Sequence, residues 1–376
     1  MIIAVNTICL LKDDPGESSN FIKEVFLAIA ESHREHIFIL IFKKPYQEAF
    51  AFPENVIPVF TATRANTPLK WYIWFNVKIP LLLKKYKAEV FVSHTFCSLL
   101  TKVPQCFILY DLSFLHLPSL INKRHQLFYK KNTPHFLKKA KTVLTFSEHS
   151  KSTIINHYKT HPEKIQVAYI GGNKMYKPVT QEEKENIKEQ YANGYEYFIF
   201  TGEIYTRTNL LNLLKAFSAF KKRQKSSMRL LIISETGIHD KEFVASLRLF
   251  RFKRDVNLLT GLPQAEIIKI IASAYAMVYP SHEEYAGSTL INTMRCEVPI
   301  ITSSAGAMPE ICGDAALYAD PGNINEIAVQ MMLIFKDEKK RKDLIDKGKL
   351  QVKNYNWNFT ANLVWESIKE TKYLVN

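Results

Sequence analysis

The sequence predicts an α/β protein of two lobes, each a parallel sheet with helices on both faces, and three observations carry that expectation. The chain has 376 residues, more than one hydrophobic core usually supports, which favours two domains. Short β-branched and aromatic runs alternate with longer amphipathic stretches, the pattern of parallel sheets covered by helices. A polar stretch, Gly171-Gly172-Asn173 through Pro178 and then the charged Gln181 to Gln190, interrupts that alternation. It places a boundary near residue 173, giving domains 1–172 and 173–356 followed by a terminal segment 357–376.

The elements follow in order. Met1 to Asn6 is apolar but has no basic leader and runs straight into Lys12-Asp13-Asp14. It reads as a buried first strand and not as a secretion signal. The first lobe continues with strands at Ile37–Phe42, Val56–Thr61, Val90–Ser93, Cys106–Asp111 and Val143–Ser147. The second carries Tyr197–Gly202, Leu230–Ser234, Val256–Gly261, Ala276–Pro280 and Pro299–Thr302. Trp357 to Tyr373 places Phe359, Leu363 and Ile368 at helical spacing and predicts a terminal helix. Open α/β sheets bind ligands outside the carboxyl ends of their strands, so two such lobes predict a site in the cleft between them.

Composition narrows the function classes. The longest apolar tract, Trp71 to Leu83, is too short to span a bilayer and is broken by Asn76, Lys78 and Pro80. Its aromatic start, Trp71-Tyr72-Ile73-Trp74-Phe75, suits packing between helices, or contact with a lipid-linked acceptor at a membrane interface. The five cysteines are odd in number and scattered among apolar neighbours. They suggest neither a disulfide framework nor a zinc site, and a reducing cytoplasm fits. The net charge of +14 gathers in patches such as Lys84 to Lys87 and Lys123 to Lys141. Solvated helix faces account for such patches, and peripheral contact with the anionic inner face of a membrane is the sharper reading. Nucleic acid is not expected, because no recognition motif accompanies the charge. His282, Glu283 and Glu284 are consecutive and cannot easily converge on one ion, so no metal or cofactor is expected.

The segment most informative about chemistry runs from Pro280 to Thr302. A strand ending at Pro280 gives way to a turn holding Glu284 and Gly287, then to a helix that Ser288 or Thr289 can cap. A helix amino terminus offers N–H groups and partial positive charge, which suit a diphosphate. Gly287 allows close backbone approach. Glu284 can accept from sugar hydroxyls, and position 292, one turn into the helix, can face a ribose.

This segment, Pro280-Ser281-His282-Glu283-Glu284-Tyr285-Ala286-Gly287-Ser288-Thr289-Leu290 through Cys296-Glu297-Val298-Pro299, resembles the donor-site signature of the family 4 (group 1) glycosyltransferases. Met308-Pro309-Glu310, Gly313-Asp314-Ala315-Ala316 and Asp320-Pro321 continue the resemblance in register. Upstream, Phe200-Thr201-Gly202-Glu203 through Arg207-Thr208-Asn209-Leu210 resembles the family's G-x-x-x-P-R-K-N-L turn. Ser147-Glu148-His149-Ser150-Lys151 resembles its S-x-x-S-K element, and Tyr110-Asp111-Leu112-Ser113-Phe114 its H-D-L-x-F element. The resemblance implies a GT-B fold: two Rossmann-like domains, an inter-domain cleft and a C-terminal helix crossing back to the first domain. It further implies metal-independent transfer, with retained configuration, of a sugar from a nucleotide-diphosphate donor to a cell-surface glycan or lipid-linked acceptor. Gly202, Arg207, Asn209, Gly287, Ser288, Thr289 and Asn292 would hold the donor. Glu284, Asp111 and Tyr110 would be the catalytic group, the last two towards the acceptor.

The sequence departs from the family at several of these positions. Asn292 replaces the second Glu of the donor helix, and an amide can still pair with ribose. Thr208 replaces a Lys, removing charge that would offset the leaving diphosphate. Tyr110 replaces a His, Glu297 a Gly, and Tyr285-Ala286 a Gly-Phe pair. Pro15-Gly16-Glu17-Ser18-Ser19-Asn20 replaces a glycine-rich loop. These changes keep a second reading open, a catalytically degenerate GT-B protein that binds glycan or partners an active transferase.

Overall fold

The computed structural model of the chain describes residues 1–10, 17–43, 52–61, 67–94, 96–116, 122–204, 208–234 and 240–374. The chain divides into two compact units, Met1–Gly171 with Asn356–Asn376, and Gly172–Tyr355.

The sheet of the first unit comprises β1 (Ile2–Asn6), β2 (Ile37–Phe42), β3 (Val56–Phe60), β4 (Val90–His94), β5 (Gln105–Ile108), β6 (Thr142–Thr145) and β7 (Ile165–Val167). All pair in parallel, in the order β3-β2-β1-β4-β5-β6-β7. Central strands are continuous apolar runs because both faces are covered: β1 reads IIAVN and β2 IFILIF, with Ile3, Val5, Phe38 and Ile41 all buried. Pro58 sits in β3, an edge strand, where a missing N–H breaks no central ladder. The helices are α1 (Glu17–Ser32), α2 (Pro68–Ile73), α3 (Ile79–Lys85), α4 (Ser113–His116), α5 (Lys123–Lys139) and α6 (Glu148–Tyr158). A π-helical turn, Trp74–Lys78, joins α2 to α3.

The second unit holds α7 (Gln181–Ala192), β8 (Tyr197–Thr201), α8 (Leu210–Gln224), β9 (Arg229–Ser234), α9 (Lys241–Arg248), β10 (Val256–Thr260), α10 (Gln264–Ala272) and β11 (Ala276–Tyr279). It continues with α11 (Ser288–Arg295), β12 (Ile300–Ser303), α12 (Met308–Cys312), β13 (Ala316–Ala319), α13 (Ile324–Lys336) and α14 (Glu338–Gln351). Its parallel strands lie in the order β10-β9-β8-β11-β12-β13. Phe198, Phe200, Phe217 and Phe220 are fully buried between sheet and helix. Thr180 opens α7 with a reciprocal capping box to Glu183, the geometry its T-x-x-E sequence favours.

The last helix, α15 (Trp357–Tyr373), belongs to the first unit. Trp365 stacks on His33 at 4.0 Å, and the hydroxyls of Thr371 and Thr142 lie 2.5 Å apart. Its buried face is Thr360, Ala361, Val364, Trp365 and Ile368. Phe359, expected on that face, is 67% exposed and Leu363 is only partly covered, because the packed stripe is rotated by one position from the expected one. The five cysteines are free, four of them buried. Among the described residues no helix is long and apolar enough to cross a membrane.

Candidate functional site

The strand order of the second unit reverses direction between β8 and β11, since β9 and β10 lie to one side of β8, and β12 and β13 beyond β11. At such a switch point the chains leaving the carboxyl ends part in opposite directions and leave room for a ligand. Two chain segments meet there. One follows β8 at Gly202 and includes Thr208 and Asn209, and the other follows β11 from Pro280 to Gly287.

Asn209 joins them. Its backbone is left-handed (φ 62°), a conformation Asn tolerates. Its buried side-chain amide donates to the carbonyls of Pro280 at 2.9 Å and Pro321 at 2.7 Å. Both amide hydrogens therefore hold loops together, tying the segment after β8 to the Pro280 and Pro321 carbonyls. Gly202 closes β8 with its N–H on the Ile233 carbonyl, 3.2 Å away. Thr208 is 2% exposed. Arg207, expected to contribute charge, lies outside the described residues, as do Pro15 and Gly16 of the first-lobe loop.

Glu284 is the organising residue of the β11 turn. It is 7% exposed, and its Oε1 accepts from the backbone N–H groups of Tyr285 (3.0 Å), Ala286 (3.3 Å) and Gly287 (3.3 Å). The Tyr279 hydroxyl donates to its Oε2 at 2.9 Å, and its own carbonyl accepts from Ala307 N–H at 2.9 Å. A carboxylate is suited to this because it accepts at several lone-pair positions while carrying the charge that opposes a cluster of N–H dipoles.

One expectation for this turn needs correction. Neither Ser288 nor Thr289 caps α11. The cap position is Gly287, with φ 74° and no side-chain bond, and the Glu284 carboxylate gathers the preceding amides instead. Packing also requires a glycine at 287, since a Cβ there would lie 2.9 Å from Ile311 Cγ1. Its N–H is engaged by Glu284. The ladder of α11 begins with Ile291 N–H on the Gly287 carbonyl, so the amides of the first helical turn, from Ser288 to Leu290, precede it.

Asn292 also has a partner that the sequence did not reveal. Its Oδ1 accepts from the Asn173 N–H at 2.9 Å, while Arg295 Nε donates to the Asn173 carbonyl at 3.0 Å. The segment that opens the second unit is thus clamped at both backbone groups by one face of α11, leaving Nδ2 as the Asn292 group for another partner. Gly306 was likewise missed: a Cβ there would stand 2.8 Å from the Glu284 backbone N. The signal was the glycine in Ser303-Ser304-Ala305-Gly306-Ala307, directly after a strand. Burial pushes the Cys296 thiol at the end of α11 up to about 12, so it stays protonated and is no nucleophile.

In the first unit, the Tyr110 ring stacks on Phe146 at 4.7 Å, and Phe146 packs against Phe21. Exposed Asp111 accepts from Ser113 N–H at 2.8 Å and so starts α4. Ser147 caps α6 by accepting from Ser150 N–H at 3.2 Å, which explains the S-x-x-S spacing.

Comparison with known proteins agrees with this architecture. Residues 181–351 match the model of the family described as "Glycosyl transferases group 1". The chain is 24% identical over 266 residues to O-antigen chain mannosyltransferase B of Escherichia coli, covering 70% of this chain and 69% of that protein. It is 27% identical over 274 residues to O-antigen chain mannosyltransferase RfbU of Salmonella typhimurium, covering 71% of each. Among solved structures, Anabaena HepE in complex with UDP and glucose superposes with a TM-score of 0.74 at 14% identity, over 98% of this chain and 99% of that one. That likeness shows the fold, which is GT-B.

Proposed function

We propose that this chain, whose residues 181–351 match the model of the glycosyl transferases group 1 family, is a glycosyltransferase that moves a hexose from a nucleoside-diphosphate sugar to a cell-surface glycan or lipid-linked acceptor. Transfer retains anomeric configuration, needs no metal, and takes place in the cytoplasm. One observation carries the reading: the turn folded around the Glu284 carboxylate delivers the amino end of α11 to the β8/β11 switch point. An eight-residue helix presents its first N–H groups and positive dipole end there, where a diphosphate is favoured.

In this reading Ser288 and Thr289 hold the diphosphate through backbone amides, with Arg207 adding charge. Gly287 supplies the turn and not an amide. Glu284 Oε2, which accepts from Tyr279, keeps a lone pair for a sugar hydroxyl. Asn292 offers Nδ2 to the ribose. Gly202 and Asn209 shape the floor, and Tyr110 and Asp111 act towards the acceptor. The names of the two O-antigen relatives make mannose the first sugar to test.

A second reading is favoured by Thr208, which is buried and uncharged where the family signature carries a Lys. Without that charge the leaving diphosphate loses transition-state stabilisation worth up to several kcal/mol, and the protein would bind glycan or support an active transferase. A panel of nucleotide sugars, followed by thermal stability and by turnover of labelled donor, separates the two. Turnover by the natural chain supports transfer. Binding without turnover, gained by Thr208→Lys with Asn292→Glu, supports the degenerate form. No response to any nucleotide removes both donor-based accounts.

A further inference from the structure

A carboxylate offers about four acceptor positions, two on each oxygen. In Glu284, Oε1 is crowded by the backbone N–H groups of Tyr285, Ala286 and Gly287, at 3.0, 3.3 and 3.3 Å. Oε2 takes the Tyr279 hydroxyl at 2.9 Å. One position on Oε2 therefore remains for a sugar hydroxyl, and its direction depends on how the carboxylate is held. The three amides fix Oε1 alone, and they belong to the same turn as Glu284. A carboxylate held by one oxygen can still tilt about it, and a bond to the other oxygen removes that freedom.

Tyr279 is placed to be that second anchor. It is the last residue of β11 and only 5% exposed, so its phenol is fixed by the sheet and not by the turn. Its ring lies parallel to that of Phe200 on neighbouring β8, with centroids 5.6 Å and planes 7° apart. Its carbonyl accepts from the Thr302 hydroxyl on β12, the strand on the other side, at 2.9 Å. A Cβ on Gly202 would come within 3.9 Å of the Tyr279 Cε2, so the segment leaving β8 lies against the ring as well. From this rigid seat the hydroxyl reaches five residues ahead to Glu284. Phe would meet the ring packing equally; what the tyrosine adds is a donor aimed at Oε2.

We propose that Tyr279 is a positioning residue for sugar transfer: by donating to Oε2 it sets the direction of the one acceptor position that Glu284 keeps for the donor sugar. This role rests on the donor-site reading and adds to it that the sugar is read by a phenol–carboxylate pair and not by a lone acid. The phenol itself touches no substrate. The diphosphate, held at the first turn of α11, lies outside the pair, so recognition of the nucleotide and recognition of the sugar are separable.

The test is a double-mutant cycle on Tyr279→Phe and Glu284→Gln in the full-length chain. GDP and UDP are titrated for affinity, and turnover is followed with labelled GDP-mannose and UDP-glucose. Tyr279→Phe should bind the nucleoside diphosphate as the natural chain does, while kcat falls by about ten-fold to a hundred-fold, the scale of a lost bond to a charged group or of a misplaced one. In the Glu284→Gln background the same change should have little further effect, because the phenol acts only through the carboxylate. Tyr197→Phe is the comparison. It removes a buried phenol bonded to the Ile270 carbonyl at 2.6 Å, at the amino end of β8, and should lower the melting temperature with turnover unchanged. Turnover by Tyr279→Phe equal to that of the natural chain overturns the proposal and leaves the donor site standing. So do additive losses in the double variant, or nucleoside diphosphate affinity lost along with turnover. A natural chain without turnover on either donor overturns the donor-site reading and this role together.

Discussion

Replacing Glu284 probes the turn on which the proposed donor site depends. Its carboxylate accepts from three backbone amides and one phenol, at 2.9 to 3.3 Å, in a position only 7% exposed. Glu284→Ala leaves those donors without an acceptor. Two of the amide bonds are long, so about 1 kcal/mol for each of the four bonds is appropriate, about 4 kcal/mol together. For a unit of this size that corresponds to a fall in melting temperature of about 8–16 °C. Glu284→Gln keeps one carbonyl oxygen for the three amides but loses the charge, and should cost about 1–2 kcal/mol. The assay is thermal unfolding of the three proteins, paired with nucleotide affinity and turnover. If Glu284 also touches the sugar, Gln should keep nucleotide affinity while turnover falls, because an amide nitrogen cannot accept from a hydroxyl. An alanine variant that melts with the natural protein would refute the reasoning.

Other consequences are local. Asn209→Ala removes both bonds to the Pro280 and Pro321 carbonyls and places Ala at φ 62°, so it should destabilise by about 3 kcal/mol and weaken nucleotide binding, measured by denaturant unfolding and titration. Glu297 sits at φ 58° just past α11, where the family signature has Gly, and its ion pair with Lys349 at 2.9 Å is half exposed. Glu297→Gly should therefore stabilise by about 0.5 kcal/mol, strain relief outweighing a surface pair, read as a melting temperature higher by one or two degrees. His94, buried at the end of β4, has its pKa pushed down to about 4 by desolvation. The unfolded chain binds that proton more readily, so the term is fully present above about pH 6.5 and about 3 kcal/mol is lost as pH falls towards 4. His94→Gln should flatten the acid limb of the stability profile, followed by urea unfolding.

Much of the fold was legible because central strands are buried on both faces and so appear as uninterrupted apolar runs, as at Ile2–Asn6 and Ile37–Phe42. The two strands not anticipated, Ile165–Val167 and Ala316–Ala319, are edge strands of three and four residues, too short to show a pattern. The terminal helix was legible in extent but not in its face, because Phe359 turns outward while the less conspicuous Thr360 and Ala361 pack. At the site, motif spacing located Glu284, Gly287 and Asn292 correctly on the turn and helix. It could not show that Glu284 binds its own loop, that Asn292 holds Asn173, or that Asn209 ties two loops together. Those partners lie between 71 and 119 residues away for the two asparagines, and hydrogen bonds over such separations leave no local sequence trace. The aromatic tract at Trp71 was read as packing between helices or as contact at a membrane interface, and the structure shows the packing: Trp74 and Phe75 are buried, with Phe75 stacked on Phe96, while the exposed residues of the run are aliphatic.

Amide hydrogen exchange across residues 284–292, with and without a nucleoside diphosphate, tests the central claim most directly. The account predicts that the ligand slows exchange at the first-turn amides of α11, from Ser288 to Leu290, more than elsewhere in the second unit. Unchanged exchange there, with protection appearing at another sheet edge or nowhere while the nucleotide is bound, would contradict it.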